Sequence, residues 1–431
     1  MMQERKAITR RGFLKSAAAF AGAPYFISSN ALGAPGRAPA SDRLVIGFIG
    51  VGKMGKGVMG NALGQPDTQI VAVCDVWKVR QEWGKEHAES HYADLMSKGS
   101  YRGCDMYGDF RDITTREDID AVMICSPPHW HALQAISAAQ HGKDIFCEKP
   151  LARTIPQARA IVNAVRRHGR VLQTNTWQRA DYNFRFACEM VRSGRVGRVH
   201  TVHVNVGGPS VVCDLPPQPT PEGLDWDMWL GPCPWRPYND IICPPDTEGG
   251  WPQWRNYRDY DGGGMTDIGA HHFDIAQWGM GTELTGPVEI IPPNGKDVKL
   301  LTYIYADGTI LYHGGGRSGI DFIGPKGRVM VNRGELSTDP PEIMKEETRP
   351  DEVHLYKSDN HLRDWIDCIR KRSRPLCHEE IGCRSVSICH LGNWAYWLKR
   401  PLKWDPDKEV FIGDEHANRL LEDSMRSPWR L

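Results

Sequence analysis

The chain has no excess of either charge: 53 Lys and Arg stand against 53 Asp and Glu in 431 residues. Phosphate recognition along a nucleic acid leaves a basic footprint, so this balance argues against a nucleic-acid binder. Disorder is disfavoured too, because it needs low hydrophobicity and high net charge. With 40% apolar and 25% charged residues, the composition is that of a soluble globular protein. No apolar run reaches the roughly 18 residues of a transmembrane helix. None of the 12 cysteines forms a CxxC pair, which excludes a zinc ribbon or a thioredoxin-type site. His-Glu-x-x-His and two-metal carboxylate patterns are missing as well. No metal is therefore expected, although His129, His131, Asp267 and His271 could be assembled on paper into a ligand set. The length suggests two domains and is ample to bury a core without a staple.

The first residues read as an address. Thr9-Arg10-Arg11-Gly12-Phe13-Leu14-Lys15 is a twin-arginine pattern, followed by an Ala-rich apolar stretch and small residues near Ala31 and Ala34. A basic segment, a modest apolar segment and small residues in that order describe an export signal over 1–34, with the mature protein in the periplasm or cell envelope. Removing that segment takes away Arg5, Lys6, Arg10, Arg11, Lys15 and Glu4, leaving 48 basic against 52 acidic residues. In an oxidising compartment Cys213, Cys233 and Cys243, all in one Pro-rich loop, are the strongest disulfide candidates. Cys74, Cys125 and Cys147 sit instead in apolar runs, where Cys behaves as a small hydrophobe.

A nucleotide fold follows. Leu44 to Ile49 is a short apolar run of the kind buried in parallel sheets. Gly50-Val51-Gly52-Lys53-Met54-Gly55 comes next and opens a helix, so GxGxxG stands in its required context. Gly50 permits the tight turn, Gly52 lets backbone approach a pyrophosphate, and Gly55 lets helix and strand pack closely. The helix N-terminus offers free N–H groups to the phosphates. A second strand, Gln69 to Cys74, ends at Asp75, whose carboxylate suits the adenine-ribose hydroxyls and favours NAD over NADP, with Lys78 and Arg80 nearby weakening that preference. Strand 119–125, helix 130–141, strand 144–147 and helix 155–168 continue the alternation. The expectation is a Rossmann domain, a doubly wound parallel sheet, over 42–168.

Two strand ends in this sheet carry polar clusters, Ser126-Pro127-Pro128-His129-Trp130-His131 and Glu148-Lys149-Pro150. Ligands of open α/β sheets bind outside the carboxyl ends of the strands, where both clusters lie. A Lys directly after an apolar strand can orient or polarise an oxygen. With these motifs the sequence resembles the Gfo/Idh/MocA family of NAD(P)-dependent oxidoreductases, over essentially the whole chain after the signal. The resemblance implies cofactor contacts from Gly50, Val51, Gly52, Lys53, Met54, Gly55, Asp75, Ser126, Pro127, His131, Glu148 and Lys149. It also implies a cis Lys149–Pro150 bond and a Lys149 that reaches the substrate hydroxyl.

From about Arg195 the pattern changes to strands with alternating character, and an α+β domain with a large open, mainly antiparallel sheet is expected over 169–431. The C-terminal helices are expected to pack back on the Rossmann domain, and the open sheet to form a homo-oligomer. Segment 207–263 holds eleven Pro between Pro209 and Pro252, together with Trp226, Trp229, Trp235, Trp251 and Trp254. Long loops of this kind are commonly functional. Aromatic faces suit sugar C–H surfaces, although large aromatics also simply pack. Trp254, Arg255 and Tyr257 are the candidate substrate contacts there, with Gln178, Arg179 and Arg185 as vaguer ones. Within Gly262-Gly263-Gly264-Met265-Thr266-Asp267-Ile268-Gly269-Ala270-His271, Asp267 and His271 are spaced to share a helix face, so Asp267 is expected to support His271 as a general base. The family's substrate-domain motif is similar. Lys149, Asp267 and His271 are thus the expected catalytic and substrate-binding set, and Asp274 a structural group.

The expected activity is hydride transfer from a secondary alcohol of a sugar or cyclitol to nicotinamide. An exported protein must keep and regenerate its cofactor, which leaves a redox-neutral cycle with tightly bound NAD as the alternative. Such a cycle would run as a sugar–sugar exchange or as glycoside cleavage through a transient ketone. A non-catalytic sugar binder is the third reading, and it sits poorly with the presence of both Lys149 and His271.

Overall fold

The computed structural model describes residues 42–245, 247–345 and 348–431. The twin-arginine stretch and the candidate cleavage sites lie outside the described residues. Six parallel strands form the first sheet: β1 (Leu44–Ile49), β2 (Thr68–Cys74), β3 (Asp105–Tyr107), β4 (Ala121–Ile124), β5 (Asp144–Cys147) and β6 (Leu172–Thr174). Their spatial order is β3-β2-β1-β4-β5-β6, the doubly wound arrangement of dinucleotide-binding sheets. Ile46, Phe48, Val122, Ile124, Ile145 and Cys147 are buried because helices cover both faces, and this is why the strands read as unbroken apolar runs. The covering helices are α1 (Lys53–Leu63), α2 (Lys78–His91), α3 (Pro128–Gln140) and α4 (Ile155–Arg167). The sheet continues past residue 168, the expected edge, because β6 is only three residues long and too short to show a period.

The second sheet has nine strands in the order β13-β12-β11-β7-β10-β9-β8-β14-β15. Its strands are β7 (Thr201–Asn205), β8 (Glu289–Ile291), β9 (Leu301–Ile304), β10 (Ile310–His313), β11 (Gly319–Gly324), β12 (Gly327–Asn332), β13 (Glu335–Asp339), β14 (Leu402–Asp405) and β15 (Val410–Phe411). All neighbours pair antiparallel except β7 and β10, which run parallel. The period-2 signal in β7 is real: Val202 and Val204 are buried while Thr201, His203 and Asn205 are half-buried on the other face.

Helices α5 (Tyr182–Arg192), α6 (Gly264–Asp267), α7 (Gly269–Met280), α8 (His361–Lys371) and α9 (Glu379–Leu398) complete the frame. Phe184, Met190, Phe273, Ile388 and Leu391 from α5, α7 and α9 pack on Val202, Tyr303 and Phe322 of the second sheet. Trp365 and Ile366 of α8 pack instead with Phe48, Met123 and Phe146 of the first sheet. The last helices thus tie onto both sheets, and Leu44–Leu431 packs as one unit. No helix among the described residues is long and apolar enough to cross a membrane. All twelve cysteines are free, including Cys213, Cys233 and Cys243, so the expected disulfide is corrected. Cys233 and Cys243 are instead buried in an aromatic cluster with Trp226, Trp229 and Tyr238.

Candidate active site

The glycine loop leaves β1 at the centre of the first sheet. Gly50 adopts φ +89°, and a Cβ there would lie 2.6 Å from Ser126 N. A Cβ on Gly55 would strike Gly50 O, so this glycine lets α1 sit against the turn. No side chain caps α1 at Gly52, and its first-turn N–H groups stay open to the cleft. Lys53, Met54 and Gly52 line a cleft together with Gly50, Asp75, Arg80, Ser126 and Pro127. Asp75 accepts from Val51 N at 2.8 Å and Trp77 N at 3.0 Å, which locks the end of β2 to the glycine loop. Burial raises its pKa, against the opposing pull of Arg80 and these backbone donors. A nucleotide pyrophosphate fits this cradle: Gly52 has only Arg80 near its missing Cβ, at 3.9 Å.

The far wall of the cleft comes from segment 207–263. Met228, Trp229, Ile242, Cys243, Pro244, Trp254 and Arg255 face the glycine loop across it. This segment is fastened along the cleft's length. Lys78 N donates to Gly223 O and Asp225 N to Val76 O, each at 2.9 Å. Arg80 Nη2 donates to Pro244 O at 2.9 Å, Lys53 Nζ donates to Gly249 O, and Lys56 pairs with Glu248 at 2.7 Å. Trp226 and Trp229, stacked at 4.7 Å, pack the segment's own core, whereas Trp235 and Trp251 are exposed.

Lys149 follows β5, and its bond to Pro150 is cis, as the resemblance implied. Lys149 Nζ donates to Asp267 Oδ1 at 2.5 Å and to the Asp267 carbonyl at 2.8 Å. Arg255 Nε lies 3.5 Å from the same Oδ1. Burial opposes the Asp267 charge, but Lys149 and then Arg255 overcome it and hold the carboxyl below its usual range. Asp267 ends α6 and His271 lies in the first turn of α7, and among the described residues no hydrogen bond joins them. The expected support of His271 by Asp267 is corrected: the carboxylate is already taken by two cations. His271 is buried, its Nδ1 has no partner, and burial followed by the Lys149 and Arg333 charges pushes its pKa well down. Both causes favour the uncharged imidazole.

His271 and Lys149 line a second cavity, of about 600 Å³, with Glu148, Asn175, Trp177, Asn360 and His361. Met54 lines this cavity and the cofactor cleft alike. Glu148 is buried, accepts from Asn175 Nδ2 at 2.5 Å, and has its pKa raised by burial. Behind Asp267, burial and then the Asp267 charge push the Asp261 carboxyl up to about 7, while its Oδ1 accepts from Thr266 Oγ1 at 2.5 Å.

Four expected contacts fall elsewhere. His131 lines neither cavity; its ring nitrogens face Pro150 O at 2.9 Å and Ser126 O at 2.8 Å, so it ties the two motif loops together. Tyr257 lines neither cavity and packs with the Cys213 side of the aromatic cluster. Trp254 and Arg255 face the cofactor cleft rather than the second cavity, with the guanidinium 4.3 Å from the indole centroid. His129 Nε2 is held by Trp229 O at 2.9 Å, so the paper ligand set with Asp267 and His271 is not brought together. Arg179 forms a buried pair with Asp274 at 2.7 Å, and Arg185 pairs with Glu189 at 2.8 Å, so both serve packing. Asn175 and Trp177 gave no signal in the sequence, since they follow the three-residue β6.

Comparison with known proteins bears on the family and the fold. Residues 44–176 match the oxidoreductase family model for the NAD-binding Rossmann fold, and residues 208–431 match that for the C-terminal alpha/beta domain. An uncharacterized oxidoreductase of Bacillus subtilis, YrbE, is 25% identical over 331 residues, 75% of this chain and 79% of that protein. The 2,7-anhydro-N-acetylneuraminate hydratase of Mediterraneibacter gnavus is 29% identical over 36% of this chain and 38% of the hydratase. A glycosyl hydrolase family 109 protein of Shewanella pealeana is 30% identical over 37% of this chain and 34% of that protein. Both of these last matches span little more than a third of the relative. Among solved structures, the aldose-aldose oxidoreductase of Caulobacter crescentus has a TM-score of 0.58 at 18% identity, covering 84% of this chain and 99% of that one. The WlbA dehydrogenase of Bordetella pertussis, solved with NADH and UDP-GlcNAcA, gives 0.57 at 16%, with coverage of 84% and 99%. At these identities the structural likeness is one of fold. The two family models between them take in the glycine loop, the Lys149 turn and the His271 helix, and the chain belongs to the Gfo/Idh/MocA oxidoreductase family.

Proposed function

We propose that this chain oxidises and reduces a secondary alcohol of a sugar or cyclitol, using NAD held along the glycine loop, Asp75, Ser126 and Pro127. The observation that carries this reading is the pairing of an ammonium and a neutral imidazole, Lys149 and His271, on one cavity that adjoins the dinucleotide cleft at Met54. When bound, the nicotinamide supplies the acceptor for the carbinol hydrogen and its electron pair. His271 takes the hydroxyl proton as the C=O bond forms, so atoms and charge balance. Lys149, pinned by Asp267, donates to the substrate oxygen and steadies the charge that develops on it. Asp267 is therefore a positioning group for Lys149. Steady-state oxidation of a panel of sugars and inositols tests the reading. No reduced nicotinamide with any of them, and none in His271→Ala-sensitive exchange, would end it.

The fastened segment 207–263 favours a redox-neutral cycle with retained cofactor. A dinucleotide under a wall tied at Lys53, Lys56, Val76, Lys78 and Arg80 leaves only when that wall opens. Nicotinamide that survives dialysis of protein purified without added cofactor supports retention; a cofactor-free protein that uses free NAD excludes it. The twin-arginine sequence is proposed to direct export, and N-terminal sequencing of the protein from the cell envelope tests it. The half-polar outer face of the second sheet is proposed to join copies of the chain, with light scattering as the measurement.

A further inference from the structure

The hairpin between β12 and β13 brings one cation, unused by the reaction above, against Trp177 at the margin of the second cavity. Arg333 stands at its tip, between Asn332 and Gly334. Its Nε donates to Gln178 Oε1 at 3.0 Å, and its guanidinium lies 5.1 Å from the Trp177 ring centroid. Gln178 is fully buried, so its amide is a fixed anchor. These two contacts set the plane of the guanidinium and leave both terminal nitrogens uncommitted. Among the described residues Arg333 makes no ion pair, whereas Arg159, Arg179 and Arg195 each meet a carboxylate.

Its place relative to the chemistry is defined. Trp177 lines the same cavity as Lys149 and His271, with its ring 6.3 Å from the His271 imidazole. The Arg333 charge reaches both His271 and His272 and lowers their pKa values. Burial works against the Arg333 charge, and the Asp267 carboxylate supports it only from a distance, without an ion pair. Lys149 and Arg255 already share the single carboxylate of Asp267, and Glu148 is held by Asn175. A planar guanidinium with its two end nitrogens free matches a carboxylate in bidentate fashion.

We propose that the substrate is an acidic sugar, whose carboxylate pairs with Arg333 while its ring lies along Trp177 and its carbinol meets Lys149 and His271. This deepens the proposed function and rests on its placing of the substrate in the second cavity. The probes are glucuronate and galacturonate against glucose, galactose and a sulfated galactose. Binding to the cofactor-loaded full chain is read by tryptophan fluorescence and calorimetry, with reduced nicotinamide followed by absorbance in the same samples. The uronates should bind about 10- to 100-fold more tightly than the neutral sugars, the range of a charge-assisted hydrogen-bond pair. Added salt should shrink that preference. Arg333→Gln, at an exposed turn and so free to fold, should bring the uronates down to the neutral level. Equal binding of acid and neutral sugars, no binding of either uronate, a preference for the sulfate ester, or an unchanged preference in Arg333→Gln each overturn the inference. A uronate preference that Arg333→Gln abolishes, with no reduced nicotinamide, upholds the inference and overturns the hydride-transfer reading.

Discussion

Replacing Lys149 by Met removes one charge of the pair at the centre of the site and keeps most of the side-chain volume. Two energies then change together. Lys149 Nζ and Asp267 Oδ1 are 2.5 Å apart, with side-chain exposures of 9% and 28%. Removing one member of a buried pair costs about 3–5 kcal/mol, because the other charge is left without a partner. Here Arg255 remains at 3.5 Å from the carboxylate, and water reaches the less buried partner, so we expect about 2–3 kcal/mol. Asp267→Asn strands the ammonium and should cost about as much. In the double variant neither charge is stranded. The loss should then fall short of the sum by about 1–3 kcal/mol, the scale of coupling between contacting groups. Denaturant unfolding of all four proteins measures this. Activity reads the other side: Lys149→Met should lower kcat by about 10²- to 10⁴-fold, as for removal of a group that meets developing charge. Cofactor affinity should hold within about threefold, because the glycine loop and Asp75 are untouched. Strict additivity of the two stability losses, or a wild-type kcat in Lys149→Met, would refute the reasoning.

Three further expectations follow from particular groups. Burial lowers the pKa of His129 to about 3 and those of His131, His272, His361 and His390 to about 4. Between pH 6.5 and those values the unfolded chain binds protons that the folded chain does not. Stability should therefore fall with acidification by about 1.4 kcal/mol per pH unit for each histidine. Asp261, raised to about 7, works in the opposite sense and offsets one of them. Glu379 and Glu380, lowered to about 2, begin to lose their contribution only as pH falls through the ordinary carboxylate range, so denaturant melts between pH 6.5 and 5 read the histidines net of the Asp261 offset. A flat profile there would contradict the burial of neutral imidazoles. Arg80→Ala removes the 2.9 Å bond to Pro244 O and the stack on Trp77, and should speed cofactor release by about tenfold in stopped-flow fluorescence. With all twelve cysteines free, a thiol titration of the denatured protein should count twelve, and dithiothreitol should leave Tm unchanged.

Strands β1, β2, β4 and β5 were legible because they are mostly buried and alternate with helices, whereas the edge strand β3, three largely exposed residues, carried no such signal. Gly50, Gly52 and Gly55 were legible for a different reason: each meets backbone, or leaves backbone open, where any side chain would intrude. The second sheet was only half visible. Strands β7, β9, β10 and β12 carry a period, while β8, β14 and β15 are two to four residues long and owe their pairing to neighbours far away in sequence. The site shows the same division. Lys149 and His271 stand in motifs, whereas Arg333 stands in an ordinary Asn-Arg-Gly turn and becomes a site group only when the sheet carries that turn to Trp177. Spacing misled in one place. Asp267 and His271 are four apart, but the carboxylate follows the stronger field of Lys149 and Arg255, which no local pattern encodes.

That field bears on how the proton moves. The pKa of His271 is held down first by burial, then by Lys149 and Arg333. A base so depressed is weak, and two of its three main depressants are charges that a substrate can alter. Lys149 is already balanced by Asp267, so the adjustable one is Arg333. A carboxylate paired with Arg333 cancels its field at the imidazole and makes His271 more basic at the moment a hydroxyl lies beside it. Binding and proton acceptance are then coupled through a single guanidinium. Arg333→Gln removes the same positive charge without any substrate, so the His271 pKa should rise in the free protein, and a resolved imidazole titration by NMR can follow it. An unmoved pKa would separate Arg333 from the proton step and leave it only a part in substrate binding.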